Sequence, residues 1–150
     1  MNELSENQAM EIKERFGYDY VDPFSEGLAW VKKDGKYFHI RPDGQTAYEE
    51  RYDGVYPFFE GLAGVRKGEE EFHIRPDGQP AYRERYDYVY SFSEGLARVR
   101  KGEKWFHIRP DSQPAYKERY DFVYSFSEGL VRVLKGDEWF FIRPDGTRAD

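Results

Sequence analysis

The chain has 150 residues and a net charge of −6, from 29 acidic and 23 basic side chains. The two signs are interleaved along the sequence, so it carries no clustered basic face of the kind that holds a nucleic acid. The absence of cysteine removes disulfides, thiolate metal sites and a cysteine nucleophile, and no apolar window is long enough to cross a bilayer or to serve as a signal-peptide core.

A soluble protein is expected, with no membrane insertion, no signal peptide and a slight preference for the cytoplasm. Aromatic residues make up 19% of the chain, including 13 Tyr and 12 Phe. The core must therefore be built largely from rings, with tyrosine hydroxyls reaching partners at its margin.

In chain order, Ser5-Glu6-Asn7-Gln8 fits a capping box, and Ala9, Ile12 and Phe16 follow at helical spacing. This predicts a short helix over about 6–15 and makes residues 1–15 an N-terminal helical cap. Residues 16–150 then form one domain of four units, about 18–51, 52–85, 86–119 and 120–150. Glu-Gly-Leu recurs at 26, 60, 94 and 128, always 34 residues on and without insertion. Such a fixed period is the signature of a repeat architecture, in which each unit leans on its neighbours.

The third unit shows the grammar. Tyr86-Asp87-Tyr88-Val89-Tyr90 reads as an extended segment, ended by Glu94-Gly95. Glycine in this slot of every unit, at Gly27, Gly61, Gly95 and Gly129, marks a left-handed backbone; Leu28, Leu62, Leu96 and Leu130 follow it. Leu96–Arg100 and Trp105–Arg109 read as a hairpin about a short turn, which the first unit spells Lys33-Asp34-Gly35-Lys36. Alternation points Ala97, Val99, Phe106 and Ile108 into the core, and Arg98, Arg100, Trp105, His107 and Arg109 the other way. Arg-Pro-Asp-Gly closes the unit as a type I turn, with Ser112 replacing the glycine in the third copy. If that slot is left-handed, serine costs about 1–2 kcal/mol there. The connector 80–85 reads as a turn leading into the next strand.

Tyr-Asp-x-Val, Phe-x-Glu-Gly-Leu-Ala-x-Val and the following Trp-x-x-Ile resemble the bacterial WG repeats, over residues 16–150. One departure stands out: the glycine of the family's Trp-Gly is Phe38, Phe72, Phe106 and Phe140 here, so a packed ring is expected in its place. The resemblance implies a β-rich binding or structural repeat and says little about activity.

The expected fold is all-β, a tandem array of hairpin-based units with a short N-terminal helix. An open, solenoid-like stack is favoured over a closed four-bladed, propeller-like ring. The ring has some support: the fourth unit lacks its connector, and Ile12–Phe16 resembles the missing piece. Against it, 34 residues is short for a four-stranded blade of about 40–45.

For chemistry, His39, His73 and His107 occupy one slot, with Phe141 in the fourth unit. Their plainer reading is a half-exposed outer face, since residues one unit apart cannot share a zinc ion, whose ligands lie within about 2.0–2.3 Å. Arg98, Arg100, Trp105, His107 and Arg109, with His39 and His73, form the best candidate for a glycan- or anion-binding strip. The plainer reading is again a solvated face. No catalytic residue, metal or cofactor is expected. The sequence thus points to a non-catalytic scaffold that binds other proteins or itself.

Overall fold

The computed structural model describes residues 6–149. The serine of the capping box, Ser5, lies outside that range. Helix α1 (Glu6–Phe16) is followed by twelve strands in four identical groups. They are β1 (Tyr20–Val21), β2 (Ala29–Lys33) and β3 (Lys36–Ile40); β4 (Gly54–Val55), β5 (Ala63–Lys67) and β6 (Glu70–Ile74); β7 (Tyr88–Val89), β8 (Ala97–Lys101) and β9 (Lys104–Ile108); and β10 (Phe122–Val123), β11 (Val131–Lys135) and β12 (Glu138–Ile142). Each group is a separate antiparallel three-stranded sheet in chain order.

Two turns set the register of every sheet. In the first, Ser25 and Leu28 exchange both backbone bonds, at 2.8 and 3.2 Å. Between them Glu26 and Gly27 both hold positive φ, 54° and 84°, the geometry of a two-residue hairpin whose twist matches its strands. Glycine meets this requirement without strain; the glutamate beside it does not. The second turn joins the long strands, as in Lys33↔Lys36 and Val31↔Phe38.

The far edge of each long hairpin is covered by the connector. Tyr37 and Tyr52 exchange N–H···O bonds, both 2.9 Å, and the Ala47 N–H donates to the His39 carbonyl at 3.0 Å. A 34-residue unit therefore reaches the breadth of a four-stranded blade, because its first strand has two residues and its fourth is reduced to isolated bridges.

The core face matches the alternation. Val31, Phe38 and Ile40 and their equivalents are buried in all four sheets. The rings in the family's glycine slot, Phe38, Phe72, Phe106 and Phe140, are core residues, and connector guanidinium groups lie over them: Arg51, Arg85, Arg119 and Arg148, at 3.7, 3.8, 3.7 and 4.2 Å from the ring centres.

The opposite face departs from the expectation. His39, His73 and His107 are not outward-facing residues; each is 0% exposed. Alternation distinguishes inside from outside only when one face of a sheet meets water. Here the face opposite the core packs on the next unit, so Phe-His-Ile is buried three residues running.

Extensive contact between units runs from β3 to β4, β6 to β7 and β9 to β10, and α1 packs on β1. Among the described residues no extensive contact joins the fourth sheet to the first, so the four sheets form an open series and not a closed ring of four. Helix α1 takes the place that a preceding connector takes elsewhere: the Phe16 ring lies where a Cβ on Gly44 would go, as Tyr48 does at Gly78.

Candidate interaction face

Each joint between units is held by two rows of contacts, and the second and third joints by one more. The first row is a histidine–tyrosine relay. His39 Nε2 lies 2.9 Å from the Tyr56 carbonyl and Nδ1 2.5 Å from the Tyr48 hydroxyl. A carbonyl only accepts, so Nε2 carries the proton and Nδ1 receives the tyrosine O–H. His73 repeats this with Tyr90 and Tyr82, and His107 with Tyr124 and Tyr116. Burial holds all three imidazoles neutral, pushing their pKa down to about 4, against a smaller upward pull from the carbonyls. Burial likewise pushes the partner tyrosines well above their ordinary range. With both ring nitrogens bonded inside the protein, these histidines offer neither a lone pair to a metal nor an N–H to an external anion.

The second row is a ladder of glutamates. The Glu26 carboxylate accepts the N–H groups of Glu60 and Gly61 at 2.7 and 2.9 Å. Glu60 does the same for Glu94 and Gly95, and Glu94 for Glu128 and Gly129. Ser25 and Ser93 add a bond from their hydroxyls to the carbonyls of Phe58 and Phe126. This explains why glutamate is kept at a left-handed position: its carboxylate fastens the next turn.

The third row differs between units. Arg98 lies over the Tyr90 ring at 3.6 Å, and its Nη1 donates to the Val123 carbonyl at 3.0 Å. Trp105 sits against Tyr88, Tyr90 and Phe122. In the second unit these slots hold Gly64 and Glu71. The small residue leaves room for Tyr56 and Val89, and the Glu71 carboxylate takes the Val89 N–H at 3.0 Å.

The residues singled out as a cationic strip are therefore dispersed. His39, His73 and His107 are sealed, Arg98 and Trp105 are spent inside the third joint, Arg100 bonds the Gly102 carbonyl, and Arg109 stands exposed at a turn. The face that remains open is the same surface on the last unit. Tyr124, Leu130, Trp139 and Phe141 are 45%, 40%, 38% and 42% exposed, with Arg132 over Trp139 at 4.6 Å. Sequence reading missed this face, although Phe141 standing where the other units have histidine was a visible signal.

These features define a tandem β-repeat protein whose units lock by backbone-directed side chains. The chain belongs to the WG containing repeat family, whose model matches residues 15–37, 40–70, 84–105 and 118–139. No curated protein matches it. Among solved structures the fold is similar to Hsv2, a β-propeller. KlHsv2 with loop 6CD replaced by a Gly-Ser linker aligns at 10% identity and a TM-score of 0.53, over 85% of this chain and 50% of that one. Kluyveromyces lactis Hsv2 gives 9% and 0.52 (83% and 46%), and Kluyveromyces marxianus Hsv2 10% and 0.51 (83% and 45%). The chain thus spans about half the length of the propellers it matches.

Proposed function

We propose that this protein is a non-catalytic repeat module that binds another protein through the open face of its last unit. The observation that carries this reading is the exposure of Tyr124, Leu130, Trp139 and Phe141 together on a face whose inner counterparts are covered. Large aromatics beside an arginine are the side chains that dominate protein–protein binding energies. The sealed histidines support the absence of catalysis, since none is poised as a base for a bound substrate. The competing reading, a glycan- or anion-binding strip, loses its central arginine to the third joint.

The test is a binding screen of the purified chain against glycans, nucleotides and proteins, run beside Trp139→Ser. Protein binding that Trp139→Ser abolishes supports the proposal. Tight binding of a glycan or nucleotide, unaffected by that substitution, overturns it.

A further inference from the structure

The two ends of the array carry complementary halves of a joint that the chain builds three times internally. At the last unit nothing among the described residues donates to the Glu128 carboxylate. At the first, the N–H groups of Glu26 and Gly27, the counterparts of the pairs held at every inner joint, meet no acceptor among the described residues. The same holds for rings. At the third joint Trp105 packs on Phe122 of the next unit at 5.4 Å. Trp139 is the equivalent of Trp105, and Tyr20 of Phe122; both are exposed, Tyr20 by 45%. Helix α1 fills the connector's place at the first unit and leaves Tyr20 and Glu26 open.

We propose, building on the binding face described above, that its occupant is a second copy of this chain. The first turn of the partner seats on Glu128 and Trp139, and two such head-to-tail contacts close two chains into one ring of twice four units. Closure follows from curvature: 85% of this chain superposes on 50% of a propeller, so a second copy continues the same arc through its other half. Head-to-tail contacts give a closed ring when the rotation per chain completes the circle and an open filament when it does not. The joint is weaker than the inner ones. Phe141 cannot supply the N–H that His39, His73 and His107 give to the next unit, so association is reversible.

The experiment is light scattering and sedimentation of the full chain from low micromolar to near-millimolar concentration. It includes Tyr20→Lys at one end, Trp139→Ser at the other, and their equimolar mixture. The wild type should reach twice its 17.9 kDa and stop there. Either variant alone should raise the half-association concentration at least tenfold, because both contacts in the ring are hit. The mixture gives a ring with one intact contact and one altered on both sides, and should recover part of the association. Melting curves at low concentration, where the wild type is also monomeric, confirm that each variant folds; Glu128→Gln replaces Trp139→Ser if that one does not. A wild type that stays monomeric, grows past two chains, or forms a dimer indifferent to Tyr20→Lys overturns the proposal. A monomer that still binds another protein through Trp139 overturns the ring and leaves the binding-module reading intact.

Discussion

The hydroxyl of Tyr48 donates to Nδ1 of His39 across 2.5 Å, and both side chains are buried. This bond requires a neutral imidazole, and the same pair recurs at each joint. Folding lowers the pKa of the three histidines from 6.5 to about 4. A base whose pKa is lowered by folding is bound more tightly to its proton in the unfolded chain. Its effect on stability is nil above about pH 6.5 and becomes increasingly destabilising as pH falls toward 4. Each histidine contributes about 1.4 kcal/mol per pH unit across that window, so three give about 4 kcal/mol per unit. Denaturant titrations at pH 7, 6 and 5 should show this steep loss. A flat profile would show that the relay does not hold neutral imidazoles.

Substituting one member of the relay tests its chemistry. His107→Phe copies the fourth unit but leaves the Tyr116 hydroxyl and the Tyr124 carbonyl without partners in a buried site. The expected loss is about 2–4 kcal/mol, since each unsatisfied buried group costs about 1–3 kcal/mol. Adding Tyr116→Phe removes one orphan and should recover part of the loss, and the acid-dependent slope should fall by about a third. A double variant no more stable than the single one would contradict this assignment.

The glutamate ladder predicts opposite effects from one substitution at two positions. Glu94 and Glu128 share a left-handed backbone, φ 55° and 54°. Asparagine tolerates that conformation better than glutamate. At Glu94 the change removes the carboxylate that holds the next turn, and Glu94→Asn should cost about 1 kcal/mol. Within one chain Glu128 holds no next turn, so Glu128→Asn should be neutral or stabilise by a few tenths of a kcal/mol. Urea midpoints taken at low concentration decide the matter, and equal losses at both positions would remove the ladder as a source of stability.

Ser112 shows two effects in opposition. Its φ of 73° is left-handed, which favours glycine. Its hydroxyl, however, donates to the Glu84 carboxylate at 2.5 Å, and the side chain is buried. The sequence alone argued for a modest gain from Ser112→Gly. With the bond in view, relief of strain is offset by a lost charge-assisted hydrogen bond, and the midpoint should stay level or fall. A clear rise would mean that the bond contributes little.

Gly95 carries a simpler expectation. A Cβ there meets nothing within 4 Å, yet φ is 82°. Gly95→Ala should therefore cost about 1–2 kcal/mol through the backbone alone, and Gly95→Val more, since β-branched residues tolerate positive φ least. Melting temperatures set against Ser93→Ala would show it. An unchanged value for Gly95→Val would contradict the left-handed geometry.

The repeat period, the left-handed glycine and the residues that build the core face were all legible in the sequence. They are imposed by local chemistry: turn residues dictate φ, and a strand alternates its side chains with a period of two. Helix α1 was legible for the same reason, through Ala9, Ile12 and Phe16. The roles of His39, Glu26 and Arg98 were not. Each depends on a partner 17 to 35 residues away, on the next unit, and a pattern within one unit cannot say whether its second face meets water or another sheet. Only the stacking of the sheets decided that. It turned histidines that read as solvated into buried donors, and left Phe141, in the same slot of the last unit, uncovered together with its neighbour Trp139.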